Sequence, residues 1–162
     1  MAVELRAFYL SPIGVIEIVG TGRGITGLNF VRRRPHGATR PHPALRTAVV
    51  QIDEYFRGKR KEFSLVLHLE GTEFQRKVWQ QLVRIPYGNT TTYAELATAI
   101  GRPEAVRAVG QANHRNPVSI IIPCHRVIGS DGRLVGYGGG IWRKEWLLAH
   151  ERENAGRARP AG

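Results

Sequence analysis

The spacing of apolar residues over positions 1–70 predicts a small sheet with one helix. Two alternating apolar segments, at 15–19 and 28–30, flank the turn-forming Thr21-Gly22-Arg23-Gly24 and predict a β-hairpin. The basic, proline-containing stretch 32–41 predicts a loop. Pro43 then begins a segment with helical spacing, which Gly58 ends. Its apolar positions are Leu45, Ala48, Val49, Ile52, Tyr55 and Phe56. Alternation at Phe63, Leu65, Leu67 and Leu69 predicts one further, half-buried strand.

The pattern changes to helices after residue 71. Thr72 to Gln75 fits a capping box, and Phe74, Val78 and Leu82 continue one helical face. Thr92 to Glu95 fits a second capping box at the start of a short helix. A turn at Gly101-Arg102-Pro103 then leads to a second short helix, 104–113. Two short helices with such a turn match a helix-turn-helix, although helix pairs of this kind often serve only packing.

The second of these helices has an unusual composition. Ala105, Ala108, Gly110 and Ala112 are small, and Arg107 is the one long cation among them. A helix that reads bases in the major groove normally offers several long polar side chains. Small residues with one arginine suit close approach to a DNA backbone and a narrow groove, with little sequence reading. Tight packing between helices is the alternative explanation.

The positive net charge of the chain is compatible with more than one function. The chain has 24 Lys and Arg against 13 Asp and Glu, a net charge of +11. This surplus favours a polyanionic partner such as nucleic acid, but a charged surface that keeps the protein in solution explains it equally well. No apolar run approaches the roughly 18 residues of a membrane span, and Glu4 and Arg6 interrupt the N-terminus. We therefore expect no secretory signal, no membrane partner and a cytoplasmic location.

The chain has a single cysteine, Cys124, which excludes an intramolecular disulfide and a cysteine cluster for zinc. A lone cysteine is more often an inert buried residue than a nucleophile. Here, however, it follows the apolar run 118–122 and Pro123, and precedes His125. This order predicts a rigid strand-like segment ending at a candidate thiolate nucleophile. If the backbone is extended, Cys124 and His125 point to opposite faces, and a bridging water must carry the proton.

These residues resemble the active-site motif of the O6-alkylguanine-DNA alkyltransferases. The resemblance runs without a gap from about Phe74 to Glu151. It includes 84–88 (RIPYG), Thr92-Tyr93, 107–110 (RAVG), Asn116-Pro117, 122–127 (IPCHRV), 136–140 (GYGGG) and 144–151 (KEWLLAHE). It implies an α/β N-terminal domain over 1–70, ribonuclease H-like with a small sheet plus helix. A mainly α C-terminal domain with a helix-turn-helix, winged-helix-like, follows over 71–152, and 153–162 form a flexible tail.

The resemblance also implies roles in the chemistry. Cys124 is the alkyl acceptor, His125 takes the thiol proton through water, and Glu151 orients His125. Glu151 could otherwise be a surface ion pair near the basic tail. Asn116 braces the active-site turn, and the Tyr93 hydroxyl supports the guanine ring nitrogen as charge develops.

The resemblance implies two groups of binding residues as well. Arg107 is an arginine finger that enters the duplex through the minor groove and fills the space of the rotated nucleotide. The remaining DNA-binding residues are Thr92, Ala105, Ala108, Gly110 and Arg115. The substrate-binding residues are Tyr93, Val127, Ser130, Tyr137 and Gly138. Gly138 stands where some relatives carry serine, so a side-chain contact to O6 is lost and a backbone N–H has to replace it.

The implied activity is an irreversible, single-use transfer from O6-alkylguanine, and also from O4-alkylthymine, in double-stranded DNA. We expect a monomer without cofactor, associated with the nucleoid in a prokaryote. Some relatives bind zinc in the N-terminal domain, but only His36 and His42 lie there as weak ligand candidates, so no metal is predicted.

Three alternative functions explain fewer of these residues. A non-catalytic lesion-binding relative commonly has tryptophan in place of the acceptor, whereas Cys124 is present. A helix-turn-helix transcription regulator leaves Cys124, His125 and Glu151 unexplained. A cysteine hydrolase leaves Arg107 unexplained.

Overall fold

The computed structural model describes residues 3–37 and 40–156. The chain divides into two compact units, one that ends at Leu69 and one formed by Glu70–Gly156. Within the described ranges, none of the helices combines the length and the apolar character needed to cross a lipid bilayer.

The first unit contains a three-stranded antiparallel sheet in the order β1 (Leu5–Ser11), β2 (Gly14–Thr21) and β3 (Gly24–Val31). The predicted hairpin is confirmed as β2–β3, in which Thr21 pairs with Gly24. The sequence pattern did not predict β1. Its apolar residues Phe8, Tyr9 and Leu10 are consecutive and Leu10 is largely exposed, so the strand lacks the alternation that identified β2.

Helix α1 (Pro43–Phe56) packs against β1 and β2 and completes the predicted sheet plus helix. The ring nitrogen Nδ1 of His42 accepts the Ala44 N–H at 3.1 Å, and Pro43 occupies the first turn, where a missing N–H costs nothing. Gly58 lies just after the helix with a φ of 73°, a conformation that favours glycine. Of the predicted apolar positions, Val49 is only half-buried, and the others are buried: Leu45, Ala48, Ile52, Tyr55 and Phe56.

The prediction of a full strand over 63–69 is wrong. The segment makes one parallel bridge, between Ile25 and Leu67, through Ile25 N–H to Val66 O and His68 N–H to Ile25 O, both 2.8 Å. A Cβ at Gly24 would lie 2.7 Å from the Val66 carbonyl oxygen, so this close approach requires glycine. Alternation indicates which side chains are buried but does not supply a hydrogen-bonding partner, and here the pairing stops after one residue.

The second unit is mainly helical. Its helices are α2 (Glu73–Val83), α3 (Tyr93–Ala99), α4 (Val106–His114) and α5 (Ile141–Ala155). Strands β4 (Thr91–Thr92) and β5 (Val127–Ile128) form a two-residue parallel pair, and Cys124–Arg126 form one 3₁₀ turn. A winged helix has an antiparallel hairpin as its wing. In residues 70–156 the strands are this parallel pair, and Ser119 and Ile122 form one isolated bridge.

Side-chain caps begin α2 and α3. The capping box of α2 is complete: Thr72 Oγ accepts the Gln75 N–H at 3.1 Å, and Gln75 Oε1 accepts the Thr72 N–H at 3.0 Å. At α3 the Thr92 hydroxyl accepts the Glu95 N–H at 3.1 Å, but the Glu95 carboxylate accepts from hydroxyls instead of the backbone. The second capping box is therefore only half formed.

Helices α3 and α4 pack against each other, as the predicted pair of short helices requires. Helix α4 begins at Val106, two residues later than predicted, and its N-cap residue Ala105 has no side chain that can accept a hydrogen bond. The indole N–H of Trp79 on α2 donates to the Ala112 carbonyl at 2.9 Å and ties α2 to α4.

Helix α5 extends into the predicted tail, 153–162. It ends at Ala155, Asn154 is buried, and a Cβ at Gly88 would lie 2.8 Å from the Ala155 Cβ. Packing against the rest of the unit therefore continues the helix beyond residue 152. The remaining tail residues, 157–162, lie outside the described residues.

Candidate active site

The segment before Cys124 is a tight, buried turn, so the prediction of a strand-like element is wrong. The Ile122 N–H donates to the Val118 carbonyl at 3.0 Å, and the Ile121 N–H to the Ser119 carbonyl at 2.9 Å. Ile120 has a φ of 72°, a region that a β-branched residue avoids at a cost of about 1–3 kcal/mol. Because Val118, Ile120 and Ile122 are fully buried, packing stabilises this strained backbone.

Asn116 lies where it can brace this turn. Its Nδ2 donates to the Ile122 carbonyl at 2.7 Å, and its Oδ1 accepts the Val118 N–H at 3.0 Å. Both ends of the turn are thereby fixed to one buried side chain. The geometry matches the bracing role expected for Asn116.

Cys124 begins the 3₁₀ turn Cys124–Arg126 and is 6% exposed. The assumption of an extended backbone at Cys124 and His125 is therefore wrong, because Pro123 leads directly into a helical turn. Burial raises the pKa of the Cys124 thiol above its ordinary value; side-chain hydrogen bonds from Asn116 and Ser119 and the charge of Lys144 act in the opposite direction. A base must therefore remove the thiol proton at neutral pH.

His125 and Glu151 form the predicted pair in the interior. The Nε2 of His125 lies 2.7 Å from Glu151 Oε2, and both side chains are fully buried. Because hydrogen bonds and nearby positive charge hold the pKa of Glu151 well below its usual value despite burial, the carboxylate accepts and Nε2 carries the hydrogen. In the neutral ring, Nδ1 then has a free lone pair. No described group bonds to it.

Burial lowers the pKa of His125, and the positive charges of Arg126 and Lys144 lower it further, whereas Glu151 raises it. The ring is consequently neutral at physiological pH. A neutral imidazole with an unoccupied Nδ1 can accept a proton. The pair thus has the protonation state that a general base requires.

Arg126 completes the cluster, although sequence analysis gave it no role. Its Nε donates to Glu151 Oε1 at 2.8 Å, its Nη2 to Oε2 at 3.0 Å, and its Nη1 to the Ile85 carbonyl at 2.7 Å. The Gly88 N–H also donates to Glu151, at 3.3 Å. Glu151 is therefore a buried carboxylate with four donors, not a surface ion pair.

Lys144 is a second buried cation that sequence analysis missed. It lies in the first turn of α5, has no exposed surface and donates to three backbone carbonyls. The available signal was helical spacing, because Lys144 and Glu151 are seven residues apart and share the buried face of α5.

Two tyrosines interact electrostatically with Cys124. The Tyr93 hydroxyl donates to the Val135 carbonyl at 3.1 Å. Burial is the main cause that raises the pKa of both Tyr93 and Tyr137, and negative charge on Cys124 is the second. Both phenols are thus within electrostatic reach of Cys124 and stay protonated at neutral pH.

The other expected substrate-binding residues differ in how closely they are tied to this cluster. Val127 is buried, and its carbonyl accepts from Lys144. Gly138 is exposed, with open space around a would-be Cβ. Ser130 is exposed.

Three of the six expected DNA-binding residues lie on α4, and Ala105 and Arg115 flank this helix. Arg107 and Ala108 are exposed, Ala105 is half-buried, and Arg115 is exposed just after the helix. Among the expected residues beside α4, the Thr92 hydroxyl also caps α3. A Cβ at Gly110 would lie 3.7 Å from the Tyr93 ring, an ordinary van der Waals contact, so packing against α3 does not require glycine there.

No cluster of three or more His, Cys, Asp or Glu side chains that could bind a metal ion occurs in the ranges 3–37 and 40–156.

Two family models match the chain. Residues 5–69 match the model described as "6-O-methylguanine DNA methyltransferase, ribonuclease-like domain". Residues 73–153 match "6-O-methylguanine DNA methyltransferase, DNA binding domain". The order of the two matches, with the solved structures below, confirms the predicted class: a small α/β unit followed by a mainly helical unit.

Curated relatives and solved structures agree with these matches. A methylated-DNA–protein-cysteine methyltransferase of Methanosarcina barkeri is 49% identical over 149 residues, covering 89% of this chain and 94% of the relative. The crystal structure of the Mycobacterium tuberculosis O6-methylguanine methyltransferase is 45% identical with a TM-score of 0.85, and the match covers 99% of this chain and 97% of that one. The M. tuberculosis OGT in complex with DNA is 47% identical with a TM-score of 0.83, covering 91% and 92%.

Proposed function

Because this chain belongs to the 6-O-methylguanine DNA methyltransferase family, we propose that it repairs DNA by direct reversal, with Cys124 as the alkyl acceptor. The name of its relatives states methylated DNA as the substrate and a protein cysteine as the acceptor. This chain has one cysteine. The observation that carries the proposal is that this cysteine directly precedes the buried His125–Glu151 pair, 2.7 Å apart.

The first step is proton removal. The Cys124 thiol passes its proton to His125 Nδ1 through a bridging water, and the thiolate then attacks the alkyl carbon. A sulfur–carbon bond forms as the bond between that carbon and O6 breaks, and the electron pair of the broken bond stays on guanine. The neutral imidazole and its unoccupied Nδ1 support this route.

Glu151 positions the imidazole and stabilises its charge after it takes the proton. The carboxylate does not itself become protonated, because four donors bind it and its pKa is depressed. Arg126 holds Glu151 in one orientation through two hydrogen bonds. The rotation of His125, and so the direction of Nδ1, depends on this pair.

The leaving guanine needs a donor as negative charge develops on it. Tyr93 is the proposed donor to the ring nitrogen, and its raised pKa keeps the hydroxyl protonated at neutral pH. Guanine becomes neutral when it accepts one proton in place of the alkyl group, which matches the one proton that the Cys124 thiol has given up. The balance closes without a cofactor, because the products are a thioether on Cys124 and guanine in DNA.

The base-binding surface is proposed to include Val127, Ser130, Tyr137 and Gly138. Tyr137 would form a wall of the pocket, and the glycine-rich segment 136–140 would let backbone groups approach the base. The exposed Gly138 supports this approach.

DNA is proposed to bind along α4, the second helix of a helix-turn-helix. Its exposed face combines Arg107 with the small Ala108, and Ala105 is half-buried, so the helix can come close to a backbone in the minor groove. Arg115 and Thr92 would add contacts beside it. Because Arg107 is the one Lys or Arg on α4, we expect little sequence specificity.

Base flipping follows from the geometry of a duplex, because O6 is inside the stack. Rotation of the nucleotide costs on the order of a few kcal/mol, less at a weakened pair. Arg107 would fill the vacated space, and phosphate contacts from a chain of net charge +11 would offset the cost.

The remaining features concern use and location. A thioether has no leaving group that water displaces, so each protein would act once, on O6-alkylguanine and also on O4-alkylthymine. We propose a monomer that acts on double-stranded DNA in the cytoplasm, associated with the nucleoid in a prokaryote.

A stoichiometric repair assay tests this function. Duplex DNA with labelled O6-methylguanine is incubated with increasing protein, and both guanine and protein-bound label are measured. We expect one label per protein and loss of one lesion per protein. Binding without transfer would favour a non-catalytic lesion-binding protein, and label released into solution with repeated turnover would favour a hydrolase.

A further inference from the structure

Lys144 uses all its donors on the backbone. Its ammonium group donates to the carbonyl of Val127 at 2.6 Å, of Val135 at 2.9 Å and of Gly136 at 3.4 Å. The side chain has no exposed surface. A buried ammonium is costly unless hydrogen-bonded, so these contacts fix where the three carbonyls lie.

The three carbonyls belong to two different segments. Val127 is in β5, directly after the 3₁₀ turn of Cys124. Val135 and Gly136 are in the segment 129–140, which has neither helix nor strand and contains Tyr137 and Gly138. Lys144 therefore connects the proposed base-binding segment, 129–140, to β5, the strand that directly follows the turn of Cys124.

The carbonyl of Val135 has a second donor, the Tyr93 hydroxyl, at 3.1 Å. A hydroxyl has one hydrogen, so Tyr93 cannot donate to Val135 and to a guanine ring nitrogen at the same time. The proposed chemistry requires the second bond. When Tyr93 turns to the base, Lys144 is the donor that stays on Val135.

We propose that Lys144 is a positioning residue. It holds the segment 129–140 against β5 while the Tyr93 hydroxyl moves its hydrogen bond from the Val135 carbonyl to the base. This inference rests on the proposed function for the role of Tyr93. The three hydrogen bonds of Lys144 are present in the protein without DNA, so they do not depend on the proposed function.

The charge of Lys144 acts on the same site. Burial lowers the pKa of Lys144 to about 8, and negative charge on Cys124 raises it. The ammonium in turn favours the Cys124 thiolate and lowers the pKa of His125. Above pH 8 the neutral amine keeps two hydrogens for three carbonyls and loses its charge, so its hold on the segment weakens.

Hydrogen exchange in the DNA-free protein tests the proposal directly. The Gly140 N–H donates to the Tyr137 carbonyl at 2.9 Å and reports the order of the segment. In Lys144→Met we expect protection of this amide to fall at least about tenfold, since an opening that costs 1.4 kcal/mol less is ten times more populated. Tyr93→Phe is the matched control and should change it far less, because Lys144 still donates to Val135.

A pH series separates positioning from a merely structural role. In a Cys124→Ser background, which removes the thiol that titrates near the same pH, protection corrected for intrinsic exchange should fall between pH 7 and 9.5. Lys144→Met should remove this dependence. If Lys144→Met fails to fold, the pH series with Lys144 present still decides: constant protection across that range would overturn the proposal.

The saturating single-turnover rate supplies the functional readout. Lys144→Met should lower it on duplex O6-methylguanine and on the free alkylated base alike, by up to about 10²-fold, because misplacing the pocket by about 1 Å has such an effect. Unchanged exchange and an unchanged rate would overturn the inference. Failure of the unsubstituted protein to transfer alkyl groups would instead contradict the proposed function and leave the exchange results standing.

Discussion

Arg126 and Glu151 form a two-bond ion pair in the interior, with Nε 2.8 Å from Oε1 and Nη2 3.0 Å from Oε2. The same carboxylate binds His125. A buried carboxylate that loses its cationic partner is strongly destabilising, whereas exposed pairs contribute little. The pair therefore links the stability of the unit to the position of the proposed base.

Arg126→Met should cost about 3–5 kcal/mol of unfolding free energy, because Glu151 stays charged and buried. Arg126 is one of the positive charges that lower the pKa of His125, so its removal should also move the acid limb of the transfer-rate profile to higher pH. Denaturant unfolding and rate measurements check both. In Arg133→Met, the control, the exposed pair with Asp131 should contribute at most about 1 kcal/mol. Equal costs for the two variants would contradict this account.

Stability should fall as the pH drops below about 6.5, the ordinary histidine pKa. The pKa of folded His125 lies below that value, so the unfolded chain binds the proton first and the stability present above pH 6.5 is lost as the pH falls through the folded pKa. Glu151 adds a similar loss only below the ordinary carboxyl range. Urea unfolding from pH 7.5 to 5 should show a steeper decline for the native protein than for His125→Gln. Parallel curves would contradict a buried neutral imidazole.

Arg107→Ala should lower the transfer rate on duplex O6-methylguanine about 10- to 100-fold. In this variant no side chain fills the space that the flipped base leaves in the stack, so the flipped state is less stable. The rate on free alkylated base should not change, since no duplex is opened. Arg102→Ala is the control: Arg102 is also exposed and close to α4, but its guanidinium pairs with Glu104 at 2.7 Å. A similar loss in both variants, or a loss on the free base, would mean that Arg107 contributes only general charge.

Gly138→Ser should fold normally and bind O6-alkylguanine more tightly. A Cβ at Gly138 meets no atom within 4 Å, and the added hydroxyl can donate to O6, a contact worth about 0.5–1.5 kcal/mol. Gly136→Ser is the control, because Gly136 has a φ of 58°, which costs a side-chain-bearing residue about 1–2 kcal/mol. Thermal unfolding and lesion affinity check the pair. Loss of stability in Gly138→Ser would show that the position needs glycine.

Local signals predicted the fold well where a few neighbouring residues determine the structure. The turn at Thr21, the Pro43 start of α1 and the Thr72 cap of α2 all appear as predicted. Strand β1, the single bridge at Leu67 and the turn around Ile120 depend on partners distant in sequence or on packing, and local spacing carries no information about them.

The candidate site was predictable for a different reason. The residues around Cys124 made it a candidate nucleophile beside His125, and the resemblance added Glu151. The structure brings His125 and Glu151 together. Arg126 and Lys144 were missed because charged residues are expected at the surface, and their partners lie on other elements.

The most direct test of the central claim is to find where the alkyl group goes. The protein is reacted with duplex DNA that carries isotopically labelled O6-methylguanine, digested, and the labelled peptide is sequenced by mass spectrometry. The account predicts one methyl group per protein, on Cys124, and none in Cys124→Ser, which should still bind the lesion. A methyl group on any other residue, or its release as methanol, would contradict it.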